Sequence, residues 1–182
     1  MDITQTALDG VVILAPKRFG DDRGYFSEVW NRQTMEAAGF DIDFVQDNHS
    51  LSAQVGTLRG LHYQSPPRAQ DKLVRCGAGA LLDVAVDIRR SSPTYGQHIA
   101  VELSAANGLQ LLVPKGFLHG FVTLQPDTEV LYKCSDVYAP DCDGSVHFAS
   151  LGIDWGIDPN TAVLSQKDVD AVAFSAFTSP FE

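Results

Sequence analysis

Apolar and polar residues alternate with a period of two through the middle of the chain, the signature of strands with distinct faces. In "LLDVAVDI", Leu82, Val84, Val86 and Ile88 fall on one face, with Asp83, Ala85 and Asp87 on the other. In "HIAVEL", Ile99, Val101 and Leu103 alternate with His98, Ala100 and Glu102, and "FVTLQ" and "EVLYKCSDVY" continue the pattern. The Asn107-Gly108 pair between two such runs predicts a type I′ hairpin turn, whose two central residues both need positive φ. Short strands punctuated by Gly and Pro predict an all-β fold, an antiparallel sandwich or jelly roll. Two short peripheral helices are expected. "NRQTMEAAGF" offers Asn31 as N-cap and Gly39 as a stop, and "SQKDVDAVAF" opens with Ser165 and an acid three residues on.

No repeat, low-complexity tract or long linker interrupts the chain, so residues 1–182 are expected to form one domain. The apolar fraction of 45% is that of a globular protein. A formal net charge of −10 argues against nucleic acid or an anionic membrane as partner. "MDITQTALDG" lacks the basic and apolar segments of a secretory leader, and Cys76, Cys134 and Cys142 form neither a CxxC pair nor a disulfide framework. A reducing cytoplasm is therefore expected.

Against that acidic background, "TLRGLHYQ" and "SPPRAQDKLVR" gather Arg59, His62 and Lys72 within a short span. An anionic ligand would need such a local cluster. The spacing of Gly108, Pro114, Gly116 and His119 resembles the second cupin motif, with Thr123 at its last position. It predicts a histidine thrown into the mouth of a small barrel. The first cupin motif is broken: His62-Tyr63-Gln64 replaces His-x-His, which leaves a poor donor set for a divalent metal. A polar cavity remains. An imidazole titrates near about 6.5 and suits a general base, while Lys72 and Arg59 could hold an anion or stabilise one as it forms. Tyr132 projects from the face it shares with Val130 and Cys134, as a proton donor or as a core tyrosine. Asp168 can cap its helix with Ser165 or orient a histidine. Arg59 and His62 are three residues apart, so an ideal strand would oppose them; a bulge at Gly60 would bring them together.

In order along the chain, "FGDDRGYFSEVW", "QDNHSLS", "GTLRGLHYQSPPRAQDKLVR", "DVAVDIRRSSPTYG", "VPKGFLHGF", "YKCSDVYAP" and "LSQKD" resemble the dTDP-4-dehydrorhamnose 3,5-epimerase family. The resemblance implies a cofactor-free, metal-free cupin jelly roll that works as a homodimer. Its substrate would be a dTDP-linked 4-keto-6-deoxy sugar, inverted at C3 and C5 by enolate formation and reprotonation from the opposite face. On that resemblance His62 is the base, Asp168 its orienting acid, Tyr132 the opposing phenol and Lys72 the cation at the ketone oxygen. Arg23, Phe26 and Glu28 would reach the dTDP group from a partner subunit. Gln46, Asp47 and Asn48 would form a pocket loop, Arg59 a diphosphate contact, and His119, Tyr138, Asp143 and Lys167 further substrate contacts. Leu51, Val137 and "VHFAS" depart from the family pattern around the sugar pocket. Two other enzyme readings stand beside this one: inversion at C3 only, and a metal-dependent cupin. A non-catalytic nucleotide-sugar binding module is the third alternative.

Overall fold

The alternating runs form strands throughout the computed structural model, which describes residues 1–182. In chain order they are β1 (Asp2–Gln5), β2 (Val12–Ala15), β3 (Arg18–Asp21), β4 (Gly24–Ser27), β5 (Gln46–Ser52), β6 (Leu58–Gln64) and β7 (Lys72–Ala78). There follow β8 (Ala80–Asp87), β9 (His98–Ser104), β10 (Gln110–Val113), β11 (Phe117–Thr123), β12 (Thr128–Cys134) and β13 (Asp143–Ser145). A six-stranded sheet has the order β1-β2-β10-β7-β12-β5, and a five-stranded sheet the order β13-β6-β11-β8-β9. All pairings in both are antiparallel. β3 and β4 form a separate two-stranded ribbon. This is the antiparallel jelly roll expected from the alternation, of the cupin-like kind that the motif spacing and the resemblance implied.

Three apolar clusters follow from the strand faces. Leu81 and Ala85 of β8 meet Val74, Leu111, Phe121 and Val130 between the two sheets. Val84, Val86 and Ile88 point the other way and are covered by Val146, Phe148, Ile153 and Trp155 of the C-terminal segment. Leu73, Val12, Leu14 and Leu112 are covered by Met35 of helix α1 (Arg32–Ala37), with Trp30 and Phe44 packed alongside. Both faces of both sheets thus carry buried surface, and each large side chain there contributes about 1.5–3 kcal/mol. The face of β8 that carries Asp83 and Asp87 is fully buried, not solvent-facing.

α1 has the predicted limits: Asn31 Oδ1 accepts from Thr34 N, and Gly39 has φ +92°. Helix α2 is shorter than expected, only Gln166–Val169. The chain must become extended beyond it, because Val172 bridges Val146 and its carbonyl accepts from His147 N at 2.8 Å. The predicted Asn107-Gly108 hairpin does not form, since β9 and β10 belong to different sheets. Gly108 alone has positive φ, while Asn107 Oδ1 accepts from Ser104 N and Leu109 N and turns the chain between the sheets.

Asp87 ends β8 with no exposed surface. Burial opposes its ionisation, but hydrogen bonds from Arg89, Ser92 and Thr94 outweigh it and lower its pKa to about 2. The stability this adds is complete above the ordinary aspartate range and is lost as pH falls through about 2. Asp87→Asn should destabilise the fold at pH 7 by about 2 kcal/mol, the scale of a hydrogen bond to a charged group, read by denaturant unfolding. The deficit should shrink as pH is lowered through the acid range; a deficit independent of pH would refute the assignment.

Candidate active site

Between His62↔His119 and Arg59↔Phe121 the ladder of β6 and β11 takes three steps on one strand and two on the other. The extra residue sits at Gly60-Leu61, and it turns Arg59 and His62 toward one cavity of about 450 Å³. Gly60 has φ +137°, and a Cβ there would lie 2.6 Å from Gly120 Cα. Only glycine permits both the dihedral and the close approach.

His62 Nε2 lies 2.6 Å from Asp168 Oδ1. The carboxylate is 1% exposed. It also accepts from Gly60 N at 3.4 Å and from Ser165 Oγ at 2.6 Å. Burial works against its charge, yet the bonds from His62 and Ser165 hold its pKa below the ordinary value. An ionised carboxylate can only accept, so the imidazole donates through Nε2, and Nδ1 is the acceptor of the neutral ring. The two sequence readings of Asp168 are therefore both met: Ser165 Oγ also accepts from Asp168 N at 3.3 Å as a helix cap.

Tyr132 and Lys72 line the same cavity from the facing six-stranded sheet. Tyr132 lies beside Asn48 in the ladder, and Lys72 beside Cys134. Burial, followed by the neighbouring Cys134, pushes the Tyr132 phenol above its ordinary pKa, which keeps it protonated as a donor. Burial pushes the Lys72 amine down, against the pull of Cys134, Asp143 and Asp83.

His119 faces His62 across the β6–β11 ladder, and its Nε2 lies 2.7 Å from Asp83 Oδ1. This second histidine–carboxylate pair is one that the sequence reading missed. Asp83 is wholly buried, and its Oδ2 has no hydrogen-bond partner. The signal was its place on β8: two aspartates share a face with Ala85 in a strand buried on both sides.

A second opening of about 160 Å³ shares His62, Lys72 and Tyr132 with the main cavity. Gln46, Asn48, Tyr138, Asp143 and Lys167 line it. Lys167 Nζ pairs with Asp143 Oδ2, which lies 3.4 Å from the Tyr138 hydroxyl. Buried Gln64 holds the Tyr138 loop, donating to Val137 O at 3.0 Å and accepting from Ala139 N at 2.9 Å. Arg59 is tethered to Ser52 Oγ and Leu51 O, both at 3.3 Å.

Four expected contacts lie outside the chain's own cavity, and three of them, Arg23, Phe26 and Glu28, are those expected to serve a partner subunit. Gln46, Asp47 and Asn48 belong to strand β5, not to a loop, so alternation sends Asp47 to the other face, where it pairs with Lys133 at 2.9 Å. Arg23 sits at the tip of the β3–β4 ribbon, paired with Asp21 at 2.5 Å. Phe26 is 69% exposed, and Glu28 accepts from Asn31 Nδ2 at 3.1 Å. None of these four lines the cavity of its own chain.

The family model described as dTDP-4-dehydrorhamnose 3,5-epimerase matches residues 5–176. A relative of that name from Sinorhizobium fredii is 51% identical over 160 residues, covering 87% of this chain and 82% of its own. The Salmonella typhimurium relative of the same name is 49% identical and covers 94% of each chain. The crystal structure of a Legionella pneumophila 3,5-epimerase, in complex with dTDP-4-keto-L-rhamnose, is 44% identical, superposes with a TM-score of 0.92, and covers 97% of this chain and 94% of its own. With its jelly roll, its paired histidine and aspartate and this likeness over nearly its whole length, the chain belongs to the dTDP-4-dehydrorhamnose 3,5-epimerase family.

Proposed function

We propose that residues 1–182 act as one isomerase unit that converts dTDP-4-dehydro-6-deoxy-D-glucose to dTDP-4-dehydro-L-rhamnose by inverting C3 and C5. One observation carries the reading: a carboxylate-held imidazole and a phenol line one cavity from opposite sheets. The protons at C3 and C5 flank the C4 ketone, so removal of either gives an enolate. His62 takes the proton, and Asp168 stabilises the imidazolium that forms. Tyr132 returns a proton to the other face of the ring, which inverts the centre. Lys72 holds the oxygen where enolate charge collects; one such positioned donor is worth roughly 10²–10³ in rate. The family match supports the substrate class and inversion at both centres over inversion at C3 alone. A metal-dependent cupin reaction has less support, because His62 and His119 are each committed to a carboxylate and no three His, Cys, Asp or Glu side chains converge.

The nucleotide end follows from the second opening, where Tyr138 offers a stacking face and Lys167, with Arg59 in the main cavity, offers charge. In this reading two copies of the chain exchange their β3–β4 ribbons, carrying Arg23, Phe26 and Glu28 into the partner's cavity. The ribbon's exposed Phe19, Tyr25 and Phe26 favour it, since within the chain only the side chains of Lys17 and Arg18 lie over Phe19 and Tyr25 and more than half of each ring stays open. The protein would work in the cytoplasm, where its free thiols stay reduced. No helix is long and apolar enough to cross a membrane.

Turnover in D2O should place deuterium at both C3 and C5, with none in His62→Asn, whose dTDP affinity should stay within about twofold of wild type, as expected when only transition-state contacts are lost. Label confined to C3 would establish the single-centre alternative, and dTDP binding without any label would establish the binding module. As pH rises, Lys72 should lose its proton below the ordinary lysine range and Tyr132 keep its own above the ordinary tyrosine range, because burial lowers the first pKa and raises the second. The alkaline limb of kcat/KM should therefore lie below the ordinary lysine value of 10.5 and move upward in Lys72→Arg. An unmoved limb would count against the amine. For the ribbon exchange, Arg23→Ala and His62→Asn chains, each impaired alone, should regain activity when mixed. Failure to complement in a mixed dimer would place both residues in one chain's site.

A further inference from the structure

The residue before Lys72 carries a role that the reaction scheme does not use. Lys72 is the first residue of β7, preceded by the irregular Ser65–Gln70 segment, and strand ends of this kind open most readily. Yet its amine must be held to within a fraction of an ångström to be effective at an oxyanion. Asp71 is 8% exposed. Its Oδ1 accepts from Lys115 N at 3.0 Å and its Oδ2 from Ser135 Oγ at 2.8 Å. Its own N–H donates to Ser135 Oγ at 2.8 Å, and its carbonyl accepts from Ser135 N at 3.0 Å. One carboxylate therefore ties the start of β7 to the end of β12 and to the Pro114–Gly116 turn that launches β11 towards His119.

We propose that Asp71 is a positioning residue for the Lys72 amine, locking the strand end from which the lysine enters the cavity. The inference rests on the proposed role of Lys72 at the enolate oxygen. Its test is a double-mutant cycle read by deuterium wash-in, which detects residual turnover. Asp71→Ala should lower kcat about tenfold or more, within the roughly 10²-fold that a 1 Å misplacement can cost. KM and dTDP affinity should stay within about twofold, since the nucleotide contacts are untouched. In a Lys72→Met background the same substitution should cost nothing further. Ser135→Ala removes two bonds, the one to Asp71 Oδ2 and the one from Asp71 N, and should show a comparable loss, also silent without Lys72, and Ser135→Thr should restore the rate. Equal losses in both backgrounds, or an unchanged kcat, would overturn the positioning role while leaving Lys72 in place. Full activity of Lys72→Met alone would instead remove the reading of Lys72 on which the inference stands.

Discussion

The cavity depends on the hydrogen bond between His62 and Asp168, residues 106 positions apart in the chain. A carboxylate with almost no exposed surface is costly to keep ionised, so its neighbours must supply donors. Three do: the imidazole, the Ser165 hydroxyl and the Gly60 N–H. The arrangement exists only because the C-terminal segment lies against the outer face of the five-stranded sheet. That docking is hydrophobic, driven by Phe148, Ile153 and Trp155 closing over Val84 and Val86. Non-directional burial delivers the segment, and directional hydrogen bonds then set the carboxylate against the ring. Loosening the apolar seal would therefore disturb the chemistry without touching a reacting group.

The same rule governs the other charges inside the sheets. Asp87 is matched by Arg89, Ser92 and Thr94, Asp83 by His119, and Asp71 by Ser135 and a backbone N–H. Lys72 has no salt bridge to offset its burial, and its pKa falls accordingly. A cation that is poorly compensated at rest gains most when negative charge develops beside it. The net charge of −10 does not conflict with an anionic substrate. Surface charges are screened over about 8 Å in physiological salt, whereas the cavity cations act at contact distance.

Period-two alternation made the strands legible, because every inner position of a sandwich must be filled. The Gly60 bulge was legible too: two polar residues three apart with a glycine between them have few other uses in a strand. What failed depended on which sheet a strand joins. Asn107-Gly108 is a hairpin signal only when its flanking strands pair, and here they part. Ser165 marked a true helix start, but the pairing of Val172 with Val146 ended α2 after four residues. Asp83 and Asp71 were hidden because an aspartate on a strand, or just before one, reads as solvent-facing until the partner that satisfies it is known. Asp47 was grouped with Gln46 and Asn48 by the family resemblance, while the pleat places it on the opposite face.

Inversion of a carbon centre needs a base and an acid on opposite sides of one ring, and a sandwich provides that arrangement directly. Its sheets pack about 10 Å apart, a gap that admits one sugar ring between side chains reaching in from either wall. His62 stands on one wall and Tyr132 on the other. Lys72 shares the phenol's wall on the adjacent strand β7, so the cation and the donor keep a fixed relation through the β7–β12 ladder. C3 and C5 both neighbour the ketone carbon, so a modest shift or ring flip at a fixed oxygen can present either centre to the same pair. In the proposed mechanism the demand on the protein is then rigidity of three side chains about one oxygen, which the buried carboxylate behind His62 and the proposed strand-end lock before Lys72 would both serve.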